Sequence, residues 1–128
     1  MKLSLDTASG HVIQGYQPGE IRVLQLGSVT DEHRITSSAI ITPEQIIEDW
    51  LETDQPLSPE HIQKILALKP EVILLGTGEQ LVFPTAAILQ DCYHAGVGVE
   101  VMDTGAACRT YNILAAEGRQ VAMGIMQL

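Results

Sequence analysis

Apolar positions change their spacing several times along the chain, and each change marks a new element. From His11 to Tyr16 and from Glu20 to Gln25 the chain is rich in β-branched residues and bounded by turn formers at Gly15, Pro18-Gly19 and Gly27. With Thr36 to Thr42, these segments read as three short strands of an antiparallel opening. After residue 42 the signals turn helical. Thr42 stands where an N-cap would, Pro43 at the first helical position, and Gln45 completes a capping-box pattern, which predicts a helix burying Ile46, Ile47, Trp50 and Leu51. Ser58-Pro59-Glu60 repeats this grammar, and Ile62, Ile65 and Leu66 at spacings of three and four predict a second amphipathic helix that Pro70 stops.

From residue 71 the pattern changes again. Glu71-Val72-Ile73-Leu74-Leu75-Gly76 contains an unbroken apolar run, the form taken by strands buried on both faces of a parallel sheet. A helix over Pro84 to Ala95 closed by Gly96 follows, then a second buried strand over 97–102. A helix from Thr104 towards Glu117, stopped at Gly118, leads to a last strand from Gln120 to Met126. This order predicts an α/β fold: an antiparallel β start, then a β-α-β-α-β unit whose strands at 71 and 97 lie parallel and adjacent. No repeat or linker divides the 128 residues, so a single domain over 1–128 is expected.

Composition narrows the partners. Seven Lys and Arg against sixteen Asp and Glu give a net charge of −9, a field that repels nucleic acid and anionic lipid alike. Glu44, Glu48, Asp49, Glu52, Asp54 and Glu60 gather within a short stretch and read either as a solvated helix face or as a surface for a basic partner. No window approaches the roughly 20 apolar residues of a membrane helix, so no membrane insertion is expected. The first sixteen residues lack the pattern of a signal or transit peptide. Cys92 and Cys108 are the only cysteines, suiting free thiols in a reducing cytoplasm.

Candidate chemistry gathers where the two buried strands end. In open α/β sheets ligands settle outside the carboxyl ends of the strands, which here are Gly76-Thr77-Gly78 and Asp103-Thr104-Gly105. Glycine permits close approach of a ligand, and the free N–H groups at the start of the helix near Thr104 favour a small anion, with Arg109 and Asn112 on that helix as further contacts. The alternative is that these glycines simply let strands turn tightly into helices. A dinucleotide motif is absent, since the third glycine is missing and Glu79 sits where a pyrophosphate would lie.

Cys108, in the early turns of a helix and next to Arg109, reads as a reactive thiol or as a small core residue. No histidine is placed beside it by sequence to act as a base. The histidines show no metal-ligand spacing, Asp103 reads as a helix cap before it reads as a catalytic acid, and Tyr111 and Asn112 are either hydrogen-bond anchors or packing residues. No catalytic residue, metal ligand or cofactor is assigned.

The run Met102-Asp103-Thr104-Gly105-Ala106-Ala107-Cys108-Arg109-Thr110-Tyr111-Asn112-Ile113-Leu114, with Glu117-Gly118-Arg119 after it, resembles a small domain family of largely unknown function that includes the mitochondrial NADH dehydrogenase (complex I) assembly factor 3. Pro70, the apolar strand, Gly76-Thr77-Gly78 and the Ile13 to Gly19 segment extend the likeness over most of residues 10 to 126. The resemblance implies a three-layer α/β domain with a central mixed sheet, a β-rich and helical layer on one side and helices on the other. It also implies work through protein partners without established catalytic residues, here in a bacterial cytoplasmic relative.

Two functional expectations follow. The first is a non-catalytic binding or assembly module with a protein partner. The alternative is a small-molecule or anion-binding domain, enzymatic or not, using the crevice at Gly76–Gly78 and Thr104–Arg109.

Overall fold

The computed structural model describes residues 10–26, 32–52 and 56–128. Two sheets form. Strands β1 (Gly10–Gln17), β2 (Glu20–Leu26) and β3 (Glu32–Ile35) make an antiparallel meander in that order. A larger sheet takes β4 (Ala39–Ile41), β5 (Ile46–Glu48), β6 (Val72–Gly76), β7 (Gly98–Met102) and β8 (Val121–Ile125) in the order β5-β4-β8-β6-β7. β6 pairs parallel with both β7 and β8, whereas β4 runs antiparallel to β8 and β5, so the central sheet is mixed. Three helices complete the fold: α1 (Pro59–Leu66), α2 (Ala86–Ala95) and α3 (Thr104–Ala116).

Alternation along the central strands divides the core in two. Ala39 and Ile41, Val72 and Leu74, and Val121, Met123 and Ile125 face α3 and the meander, meeting Ala107, Cys108 and Tyr111 from α3 and Ile13, Ile21, Val23 and Ile35 from the meander. Ile40, Ile73, Leu75 and Ala122 face the other way, onto Trp50, Leu57, Ile62 and Ile65 and onto Leu89 and Cys92 of α2. All five residues of β6 and of β8 are buried, the physical reason their sequences read as unbroken apolar runs. The result is the expected three-layer α/β domain, with the strands at 71 and 97 parallel neighbours; β7, expected to be buried, is instead an edge strand with Gly98 and Glu100 exposed.

The helix expected after Thr42 does not form. Its capping chemistry is present but closes a hairpin. Thr42 Oγ1 accepts hydrogen bonds from the backbone N–H of Glu44 (3.2 Å) and Gln45 (3.0 Å), and Thr42 N–H donates to the Gln45 carbonyl (2.9 Å). Ile46 then pairs with Ile41 and Ile47 with Ile40. Ile46 packs on one face of the sheet and Ile47 on the other, a period of two that a helix cannot satisfy. Asp49 takes a left-handed conformation (φ 57°), and the Trp50 indole N–H donates to the Ile125 carbonyl at 2.9 Å in the core. Only the second expected helix, α1, is real, so the run of acids does not form one helical face. Asp54 and Gly27 lie outside the described residues. The strand expected over Thr36 to Thr42 is confined to Ala39–Ile41, and β3 precedes it.

Candidate functional site

The connections leaving β6 and β7 diverge. The first leads to α2 on one face of the sheet and the second to α3 on the other, and such a switch point is where α/β sheets open a crevice. The strand ends there are bonded together: Thr77 N–H donates to the Met102 carbonyl (3.0 Å) and Met126 N–H to the Gly76 carbonyl (2.8 Å). Above them lies a cavity of about 360 Å³. Its walls are Tyr16 and Gln17 at the end of β1, Pro18 in the turn after it, Gly78 and Glu79 after β6, Asp103, Thr104 and Gly105 at the start of α3, and Leu128.

Thr104 is the knot of this region. Its Oγ1 accepts from Gly78 N–H (2.8 Å) and donates to the Gln127 carbonyl (2.6 Å), while its own N–H donates to the Gly78 carbonyl (2.9 Å). Asp103 caps α3, its Oδ1 accepting from Ala106 N–H at 2.8 Å and its carbonyl from Ala107 N–H at 2.9 Å. Three of the first-turn N–H groups, those of Thr104, Ala106 and Ala107, are therefore engaged within the chain. Thr77 is likewise internal, its hydroxyl donating to the Gln80 carbonyl (2.6 Å) and accepting from Val82 N–H (3.2 Å).

The glycines answer to local geometry. Gly78 has φ +102°, a conformation that L side chains rarely adopt, and a Cβ there would lie 3.0 Å from Gln127. Gly105 lies under the Tyr16 ring, where a Cβ would come within 2.8 Å. Gly76 ends β6 in contact with Ile125 and Thr104.

Arg109 and Asn112 do not line the large cavity. With Ile13, Gln14, Gly15, Tyr16 and Cys108 they border a smaller one of about 150 Å³. The Arg109 guanidinium donates to the Tyr16 phenol and lies 5.9 Å from its ring centroid. Asn112 is a backbone clamp: Ile13 N–H donates to its Oδ1 and its Nδ2 donates to the Ile13 carbonyl, both at 2.8 Å. Beside it Tyr111 OH donates to the His11 carbonyl (2.8 Å), and His11 N–H donates to the Pro43 carbonyl (2.9 Å). The edge of β1 that β2 leaves open is thus closed by α3 side chains and the β4–β5 turn.

Burial sets the titration of the two α3 groups. The Cys108 thiol is 1% exposed, and desolvation pushes it up from 9.0 to about 12 against the smaller opposing pull of Arg109, the reverse of thiolate activation. Burial, with a lesser push from Glu44, raises the Tyr111 phenol well above its ordinary value. Among the described residues no three His, Cys, Asp or Glu side chains converge as a metal site would require.

Sequence reasoning missed the loop after Gly78. Leu81, Val82 and Phe83 are 50%, 59% and 69% exposed and follow Glu79, which lines the cavity, along the chain. Three consecutive apolar residues just before the helix that begins after Thr85 were the available signal.

This arrangement, a three-layer α/β domain with a motif-bearing helix at the switch point, defines the class of the chain. It belongs to the family described as protein of unknown function (DUF498/DUF598), whose model matches residues 13–126. Among curated relatives, the "13 kDa major membrane protein" of Francisella tularensis is 38% identical over 85 residues, which are 65% of this chain and 69% of that protein. The human NADH dehydrogenase [ubiquinone] 1 alpha subcomplex assembly factor 3 is 27% identical over 95 residues, 73% of this chain; the match spans about half (52%) of the human protein. A crystal structure of a Bordetella parapertussis protein superimposes with a TM-score of 0.80 at 31% identity, covering 94% of this chain and 98% of that one. No helix among the described residues is long and apolar enough to cross a membrane.

Proposed function

We propose that the chain is a non-catalytic binding module that assists a protein complex, in the manner of an assembly factor, by holding a protein partner at the crevice face. The observation that carries this reading is the exposed Leu81-Val82-Phe83 loop, which follows Glu79 of the cavity wall along the chain, while Thr104 and Asp103 of that wall are bonded within the chain. Apolar residues presented together mark contact surfaces, and the Thr104 and Asp103 groups at the start of α3 are already engaged within the chain. Relatives named as complex I assembly factors support a role exercised through proteins. Gly76, Thr77, Gly78, Asp103, Thr104 and Gly105 are then the frame of the contact site, with Arg109 and Asn112 bracing it from behind.

The experiment is deletion of the gene followed by native-gel analysis of the cell's complexes. A specific complex accumulating in partial form, restored by the reintroduced chain, is the expected result. Unchanged complexes, together with millimolar stabilisation of the chain by a phosphate or carboxylate metabolite, would overturn it in favour of a ligand-binding domain. The working location is the cytoplasm, supported by two free and buried thiols, Cys92 and Cys108. Recovery of the chain in the washed membrane pellet on cell fractionation would contradict that placement.

A further inference from the structure

The crevice face has a definite electrostatic character. The charged side chains lining the cavity are Glu79 and Asp103, and no cation lines it among the described residues. The described cations lie elsewhere. Arg22 and Arg34 gather around Glu20 on the meander, Lys64 and Lys69 belong to α1 and its exit, and Arg119 pairs with Glu71 (3.3 Å) where β6 begins. Arg109, on α3, is tied to Tyr16. Beside the two carboxylates the walls include Tyr16, Pro18 and Leu128, and the exposed Leu81 to Phe83 follow Glu79 along the chain. Tyr16, in the wall, holds the Arg109 guanidinium through its phenol, 5.9 Å from the ring centroid.

We propose that this crevice is the docking surface for a basic amphipathic segment of the protein partner, with a Lys or Arg side chain entering the cavity towards Glu79 and neighbouring apolar side chains covering Leu81 and Phe83. The volume of about 360 Å³ accommodates the long apolar stem of such a side chain, which covers apolar wall while its head reaches the carboxylate. Asp103 compensates the start of α3, leaving Glu79 as the charge that selects the partner. The inference rests on the binding-module reading and names the chemistry of its partner.

Chemical-shift mapping with two peptides tests it. The probes are a ten-residue peptide of alternating Leu or Phe with Lys or Arg, and the same peptide with Glu at every basic position. The basic peptide is expected to move the amides of Gly78, Glu79, Thr104 and Gly105, and the acidic one to leave them in place. Glu79→Gln should weaken the basic peptide about threefold and Phe83→Ser about tenfold. Glu117→Gln, which removes the same charge from an exposed site at the end of α3 opposite Thr104, should have no effect and so separates docking from general attraction to an acidic protein. Equal binding of the two peptides, shifts away from the crevice, or equal losses in the Glu79 and Glu117 variants would overturn the assignment. If the deletion strain still accumulates a partial complex after such a result, the binding-module reading stands and the docking site alone is wrong.

Discussion

Replacing Asn112 by alanine separates an architectural role from a ligand contact. The side chain makes two hydrogen bonds of 2.8 Å to one residue, Ile13, and both terms of that backbone unit lose their partner together. Each bond contributes about 1 kcal/mol net, and leaving a partly buried donor and acceptor unpaired adds to this, so Asn112→Ala should cost about 2–3 kcal/mol. For a domain of this size that corresponds to a fall of about 10 °C in Tm. Urea denaturation followed by circular dichroism gives the free energy, and hydrogen exchange of the Ile13 amide gives the location. Asn112→Asp should keep the Ile13 N–H partner while setting a carboxylate against the Ile13 carbonyl, so it restores amide protection without restoring full stability. A loss below about 0.5 kcal/mol with the Ile13 amide still protected would refute the clamp, since surface changes without such a role stay within that range.

Gly78→Ala forces a side chain into φ +102° beside Gln127 and should cost about 1–3 kcal/mol, read from the shift in the urea midpoint. Trp50→Phe removes the donor to the buried Ile125 carbonyl and should cost about 1–3 kcal/mol by the same assay. Cys108, held protonated to about pH 12 by burial, should react with iodoacetamide far more slowly in the native protein than a free model thiol does; equal rates would place it in a different environment. Because the folded chain keeps both Cys108 and Tyr111 protonated while the unfolded chain ionises them, their stabilisation is complete below about pH 9 and is lost as pH rises through the folded values. Stability measured across pH 8 to 12 should therefore fall steadily above pH 9, and a flat profile would contradict the burial of these groups.

Much of the β-α-β-α-β half was legible because its signals are local and agree with one another. An apolar run buried on both faces, glycine at the end of α2, a proline after α1 and an aspartate cap on α3 each point the same way. The stretch from Thr42 to Leu51 misled for a physical reason. A Thr followed by Pro and Gln satisfies a helix N-terminus and a hairpin turn with the same hydroxyl, and only pairing with Ile40 and Ile41, a tertiary fact, selects the strand. The crevice itself could be located from strand ends. Its occupancy by internal hydrogen bonds could not, because Thr104 reaches Gly78 and Gln127 across 26 and 23 residues of sequence. The role of Tyr111 and Asn112 was hidden likewise, their partners being about a hundred residues away at His11 and Ile13.

The most direct test of a protein-binding crevice is affinity purification of the tagged chain at native expression after brief cross-linking, wild type against a Leu81→Ser, Phe83→Ser double variant. Both changes are on exposed side chains, so the variant should keep its fold, checked by an unchanged amide spectrum away from the loop. One specific protein should be recovered with the wild type and lost with the variant. Recovery of the same protein in equal amount by both chains, or none by either, would contradict it.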